Sequence, residues 1–361
     1  MLSKKIGIVK DIKSENDVIQ DIVVIVEGRE ERAYNYIGLS GVCEVGDEVV
    51  LNTTAVELSL GTGGFHFVIT NLNKIQSQFT EGGHIMKLRY TPFQIKVDSV
   101  EEQSSIYHDV FDKFQSLDGM PVAVGALHSI LPSFCATFKS NCPDKKLVYI
   151  MSDAAALPIA FSKNVETLKA KGLIDKTITY GNSFGGDYEC VNIYTALITA
   201  KEICKADCVI VTMGPGIAGT GTKYGFSGVD QGMIIDAIEM LDGSSYLIPR
   251  ISFADKRDRH RGISHHSITI LNEITNKSTN LVINRDYDEE KLKTIEKQIH
   301  SNSISKKHHI IYDDYKNSEC DLKKYDLRVR SMGRSFLEDK EFFIAASTVA
   351  NVISKNMMSN K

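Results

Sequence analysis

The sequence predicts an α/β protein: a mostly parallel sheet with helices on both faces, preceded by a small N-terminal β-barrel of the OB or SH3-like kind. Two observations predict it. Over residues 5–52, short β-branched segments are punctuated by glycine and aspartate turns, which is barrel patterning. From Pro121 onward, apolar runs of strand length alternate with longer helical periods, the mark of strands joined by crossover helices.

In the first part, Ile6, Ile8 and Val9 open a strand, residues 21–27 (DIVVIVE) form a second and residues 32–37 a third. The Val45-Gly46-Asp47 turn leads into a fourth at 48–51. A glycine-rich loop at 60–64 (LGTGG) precedes an apolar segment at 65–69. The wider loop 53–64 is open to two readings, a lid over a crevice in the α/β part or a long hairpin. Residues 84–97 read as extended, and Ile106, Val110, Phe114 and Leu117 share one helical stripe. These signals divide the chain into a barrel domain at 1–97, a connecting helical segment at 98–120 and an α/β domain at 121–361. In that last part, strand-like runs fall at 122–127, 147–151, 177–180, 208–213, 246–251, 281–284 and 309–312. Helical periods lie near 129–140, 153–171, 190–204, 229–241, 264–275, 288–301 and 336–354.

Composition bounds the function. A chain of 361 residues with 42% hydrophobic and 24% charged residues builds globular cores and suits two domains. Its net charge of −4 supplies no global basic field for nucleic acid, so any anion site must be local. Residues 1–70 show no aromatic-plus-basic stripe, which argues against direct RNA binding by the barrel. The seven cysteines are odd in number and scattered; Cys204 and Cys208 are four apart, without zinc-finger or Cys-x-x-Cys spacing. Reduced, buried thiols in the cytoplasm are expected. The first ten residues lack a signal-peptide core, and no run approaches the roughly 20 apolar residues of a membrane span.

The chemically distinctive residues follow predicted strand ends. They are His128-Ser129, Ser152-Asp153, 181–189 (GNSFGGDYE), 214–222 (GPGIAGTGT) and 252–262 (SFADKRDRHRG). In an open parallel sheet, ligands bind outside the carboxyl ends of strands, so all five segments are expected to line one crevice. Gly214, Gly216, Gly219, Gly221 and Thr222 form a loop whose backbone N–H groups suit a phosphate or carboxylate; a plain surface turn is the competing reading. Gly214, Gly216 and Gly219 match G-x-G-x-x-G without an immediate helix, and Thr222-Lys223 inverts the order a Walker-A lysine requires, which rules out that ATPase motif.

Residues 255–261 (DKRDRHR) crowd Lys256, Arg257, Arg259 and Arg261 against Asp255 and Asp258. Arginine forks suit anionic oxygens, with local ion pairs as the alternative. His260, His265 and His266 raise a metal reading, completed by Asp255 or Asp258. Adjacent histidines point about 100° apart on a helix, which counts against shared ligation. General acid–base work by His260 or His265 is the stronger expectation, with Ser264 as a helix cap. Asp187 and Glu189 are expected to share one face of an extended loop and to orient a ligand, or else to decorate a helix start. Asp153 is open to ligand contact or capping. His128 reads as structural. Arg328, Arg330 and Arg334 surround 331–333 and read mainly as solvated.

Several long motifs in order, GALHSILPSF (125–134), YGNSFGGDYE (180–189), MGPGIAGTGTKYGFSG (213–228), SFADKRDRHRGISHH (252–266) and VRSMGR (329–334), with LNTTAVELSLGTGGFHFV (51–68) before them, resemble a bacterial domain-of-unknown-function family, number 3866. The resemblance spans nearly the whole chain. It implies that barrel and α/β part belong together and implies no reaction or cofactor. The residues themselves predict an enzyme that binds a small anionic or phosphorylated metabolite. In that role Arg257, Arg259, Arg261 and the 214–222 backbone hold the anion, His260 or His265 moves protons, and Asp187 or Asp255 orients the other end. The alternatives are a nucleotide-sensing or RNA-associated regulatory module and a structural assembly partner.

Overall fold

The computed structural model describes residues 2–61, 63–74 and 82–359; Thr62 of the expected 53–64 loop lies outside them. The chain divides into two units, Met1–Gly82 and Gly83–Lys361. In the first, β1 (Lys4–Glu15), β2 (Ile19–Val26), β3 (Arg29–Tyr36), β4 (Glu48–Asn52) and β5 (Phe65–Asn71) close a barrel in the order β1-β2-β3-β5-β4. Register shifts after Val9 and Ile12 let the long β1 curve, so that it pairs with both β2 and β4. β3 and β5 pair parallel, and the other neighbours are antiparallel. Of the two barrel kinds expected, this closed five-strand order is the OB-like one. Val9, Ile22, Val24, Ala33, Val49, Leu51 and Val68 fill its centre.

The β3–β5 register carries a feature absent from the linear sequence. Arg32 lies beside Phe65 and Tyr34 beside Phe67, all on the face opposite Ala33. Tyr34 stacks on Phe65, Tyr36 stacks on Phe67, and the Arg32 guanidinium sits 4.2 Å over the Phe65 ring. The barrel therefore does carry an aromatic-plus-basic row, contrary to expectation. Arg32, Tyr34 and Tyr36 alternate along β3, and the pairing with β5 adds Phe65 and Phe67 to the same face.

The second unit opens with a hairpin of β6 (Ile85–Lys87) and β7 (Ile95–Val97). Lys87 is fully buried there and ties the hairpin to the sheet through Glu189, 2.6 Å away. A short helix, His108–Lys113, occupies part of the expected 104–117 stripe. The main sheet comprises β8 (Pro121–Gly125), β9 (Leu147–Ser152), β10 (Lys176–Tyr180), β11 (Tyr188–Cys190), β12 (Cys208–Met213), β13 (Ser244–Ile248), β16 (Asn280–Asn284) and β17 (His309–Asp313). Between β13 and β16 lies a small ladder of β14 (Ile251–Ser252) and β15 (Gly262–Ile263). The main strand order is β11-β10-β9-β12-β8-β13-β16-β17, and all seven neighbouring pairs in it are parallel.

The central strands β8, β9 and β12 are apolar along most of their length because both faces are covered. On β9, Val148 and Ile150 face a core shared with helices Gln231–Met240 and Glu289–Ser301. Leu147, Tyr149 and Met151 face the other core, built with helices Leu131–Asn141 and Lys340–Ser359. The chain first walks outward from β8 through β9, β10 and β11, then returns to insert β12 beside β8 and continues through β13 on the other side. The direction of winding thus reverses around β8, where a crevice at the carboxyl ends is expected.

All seven predicted strands of the α/β part are present. The unexpected eighth, β11, is three residues long and mixes Tyr, Glu and Cys, so no apolar run announced it. One expected helix is shorter, Lys163–Ala170 in place of 153–171, and Ser318–Lys324 is additional.

Gly125 ends β8 directly beneath the rim. A Cβ there would lie 2.0 Å from Ile130 Cδ1. Gly125→Ala is therefore expected to destabilise by about 1–3 kcal/mol. Ile130→Val, which deletes that methyl, should recover most of the loss. A double-mutant cycle in urea checks this, and strictly additive effects would contradict the packing described.

Candidate functional site

The loops that leave the carboxyl ends of the strands are cross-linked to one another by side chains. After β8, Ser129 donates to Ser331 Oγ at 2.9 Å, which fastens the 329–334 turn to the rim. His128 is buried, its Nδ1 3.2 Å from the Met213 carbonyl and its Nε2 against Ser162 Oγ. A carbonyl only accepts, so Nδ1 carries the proton and Nε2 accepts from Ser162. Burial pushes this imidazole down to about 4, which keeps it neutral and structural.

After β9, Asp153 accepts from the backbone N–H of Asn182 at 3.0 Å and lies so close to Gly181 that a Cβ there would collide with it. Asp153 thus straps two strand ends together. Asp187 does not join them. After the glycines at 181–186 the chain doubles back along β10, and Asp187 accepts from the Thr177 backbone N–H at 2.7 Å, near the amino end of that strand. It is also bound by Lys169. Glu189 is fully engaged by Lys87, by Thr179 Oγ1 at 2.8 Å and by the Gly185 N–H at 2.6 Å. Both acids are taken up by these partners, because the expected extended loop is instead a reversal that adds a strand.

The 214–222 loop and the basic run do meet. Gly214 packs on the segment after β9, where a Cβ would lie 2.4 Å from the Ala156 carbonyl oxygen. Gly216 and Gly221 have φ of +106° and +79°, the left-handed region that favours glycine. The tip is closed by a Gly219–Phe226 bridge and by Thr222, whose Oγ1 accepts from the Gly225 N–H at 3.2 Å. A Cβ on Gly221 would lie 3.6 Å from the Arg259 guanidinium, and one on Gly219 3.8 Å from the His266 ring.

Within the basic run the charges separate into two groups. Asp255 is buried and binds Arg257 through both carboxylate oxygens at 2.9 and 2.8 Å, with Arg250 at 3.2 Å. The Arg257 hydrogen bonds hold its carboxyl well below the usual range. Arg334 lies 3.9 Å from Asp255 and donates at 2.8 Å to Asp339, which also accepts from Ser252 Oγ. Asp255 is therefore a structural counter-charge, and Arg334 belongs to the rim rather than to solvent. Arg259 and Arg261 are exposed and have no carboxylate partner among the described residues. Arg250 and Asp339 escaped sequence reasoning: Arg250 stands alone after an apolar strand, and Asp339 sits in the 338–341 run (EDKE), which reads as the charged start of a helix.

His260, His265 and His266 converge. Their ring centroids are 4.9, 5.0 and 4.2 Å apart, and one ligand atom from each lies within 4.8 Å of the others. Adjacent histidines meet here because Ser264 starts the helix His265–Thr269, while the preceding Gly262–Ile263 strand folds His260 back onto its first turn. The expectation that neighbours on a helix diverge too far is overturned by that fold-back. Ser264 Oγ holds His260 Nδ1 at 2.7 Å, and Phe226 stacks on His266 at 4.0 Å. Burial first, then the nearby arginines, pushes His260 down to about 3; burial and its two histidine neighbours push His266 to about 3. Imidazoles so hard to protonate are poor proton carriers near neutrality. Among the described residues this is the one cluster of His, Cys, Asp or Glu with metal-ligand convergence.

Sequence reasoning also missed Asp230. It begins the helix that follows the glycine loop and accepts from Ser152 Oγ at 2.9 Å. Burial lifts its carboxyl to about 6, with Asp153 adding to the shift. A lone aspartate before a helix looks like a cap, so nothing in the sequence marked it. A separate cleft of about 310 Å³, lined by Asn164, Thr167 and Arg328 among others, brings no comparable group together.

The family model described as "Protein of unknown function (DUF3866)" matches residues 32–350. The chain belongs to that family. The comparison with curated proteins found no match. The family assignment covers the last barrel strands and nearly all of the α/β unit, and it brings no reaction with it. No helix among the described residues is long and apolar enough to cross a membrane.

Asp230 yields a signed prediction. Its folded pKa lies above the unfolded value, so the folded state holds the extra proton between about pH 4 and 6 and loses relative stability as pH rises through that window. Asp230→Asn should gain on the order of 1–3 kcal/mol over wild type at pH 8 and almost nothing at pH 4. Urea unfolding at both pH values measures this. An equal effect at both would contradict the buried carboxylate.

Proposed function

We propose that this protein is an enzyme acting on a small metabolite that carries a phosphate or carboxylate, bound at the carboxyl rim of the parallel sheet beside β8 and β12. The observation that carries the reading is the closeness of the left-handed Gly221 turn to the exposed, carboxylate-free Arg259, whose guanidinium lies 3.6 Å from where a Gly221 Cβ would stand. Backbone N–H groups of a glycine turn and an arginine fork are complementary donors for one anion. Arg261 supports the same charge, while Arg257 is held by Asp255 and acts through it. Asp230 is the better-tuned acid–base group at this rim, because its carboxyl exchanges a proton near pH 6, whereas His260 and His265 stay neutral. Cytoplasmic location fits seven cysteines of which six are buried, with no disulfide among them.

Thermal or urea denaturation with inorganic phosphate or pyrophosphate tests this. At a hundredfold excess over Kd, binding should add about 2.7 kcal/mol of stability. Arg259→Gln should remove that gain while leaving the ligand-free stability within about 0.5 kcal/mol of wild type. An unchanged gain in Arg259→Gln would refute the site.

A second reading, RNA contact through the barrel, is favoured by the Arg32–Tyr34–Tyr36 row stacked on Phe65 and Phe67. Against it, Arg32 is already paired with Asp21. Binding of the full chain to single-stranded RNA, lost in Tyr36→Ala and weakening as salt rises, would support it; no salt-dependent binding would end it.

A further inference from the structure

We propose that His260, His265 and His266 form a metal site that takes one divalent first-row ion of the zinc class. Three independent observations carry this. The ligand atoms converge within 4.8 Å. His265 Nε2 and His266 Nδ1 are buried without any hydrogen-bond partner, although His266 as a whole is only 5% exposed. A buried nitrogen left unsatisfied costs about 1–3 kcal/mol, so two of them side by side point to a shared occupant. Finally, His260 is oriented from behind by Ser264, whose Oγ lies 2.7 Å from Nδ1, the outer-shell hydrogen bond that metal-bound imidazoles use to fix ring and tautomer.

The donor set selects the ion. Three imidazoles and no carboxylate suit zinc, cobalt, nickel or copper and exclude the oxygen-preferring calcium and magnesium. Asp255, one of the two expected completing ligands beside Asp258, is held by Arg250 and Arg257 instead. Tetrahedral zinc with Zn–N bonds of about 2.0–2.1 Å needs nitrogens roughly 3.3 Å apart, so the rings close inward by about an ångström on loading. Three neutral ligands leave the ion its full double charge and one exchangeable position. Such a position attracts an anionic oxygen, and Gly219 and Arg259 border the cluster. This last step rests on the function proposed above; the metal assignment does not. A lone bridging water is the competing occupant of the two nitrogens.

The test uses the full chain, stripped with a chelator and titrated with Co²⁺ under visible absorption, with Zn²⁺ as competitor. One ion per chain is expected. His265→Gln/His266→Gln should weaken binding at least about 100-fold and Ser264→Ala about 10- to 100-fold. Zinc-edge X-ray absorption of the wild type should report three nitrogen donors of imidazole type and no sulfur; this reading stands even where a variant fails to fold. Less than one ion per chain, wild-type affinity in the double variant, or sulfur in the shell would overturn the assignment. Inorganic phosphate added to the Co²⁺ form should shift its spectrum. An unchanged spectrum would overturn the anionic substrate while leaving the metal in place.

Discussion

Parallel pairing is the constraint on which the rest of this structure depends. Eight strands that all run one way deliver every outgoing connection to the same rim, and the reversal of winding around β8 brings connections from both directions together there. Burial of both sheet faces accompanies this arrangement, since the crossover helices between parallel strands cover each side. The site is a consequence of that geometry. Residues as far apart in sequence as Ser129, Gly221, His266 and Arg334 become neighbours of the same few strand ends.

At this rim, charge is sorted by burial. Two buried carboxylates, Asp255 and Asp339, neutralise Arg250, Arg257 and Arg334 and so hold the loop after β14 against the start of the long C-terminal helix. Such pairs fix position more than they add stability, because desolvation offsets much of their attraction. The arginines left over, Arg259 and Arg261, lie on the exposed side of the same run. The histidines sit between the two groups, kept neutral by burial and by the positive charges around them. Fixed cations around neutral imidazoles suit an anion and disfavour a protonated histidine.

The fold was largely legible in the sequence because strand and helix periods are local. The 122–127, 147–151 and 208–213 runs read directly, as did the convergence of the 214–222 and 255–261 segments once the sheet was taken as parallel. Other features depend on pairing between distant segments. β11 was hidden because three residues of mixed character give no period, and its existence moves Asp187 away from the rim. In the barrel, the Arg32, Tyr34 and Tyr36 alternation was open to reading along one strand, whereas its union with Phe65 and Phe67 depends on the β3–β5 pairing. Asp230 and Arg250 are single residues whose surroundings alone make them unusual. The histidine cluster was visible as a group of residues, but its geometry required the fold-back of Gly262–Ile263 that no helical projection supplies.

The central claim is that the turn at Gly219–Gly221 and the Arg259 side chain hold an anion beside the histidine cluster. Anomalous X-ray scattering from crystals soaked in tungstate, an oxyanion with its own absorption edge, tests it most directly. The account predicts a tungsten peak within hydrogen-bonding reach of the 219–222 backbone and the Arg259 guanidinium. Tungstate bound solely elsewhere on the molecule, with this turn vacant, would contradict it.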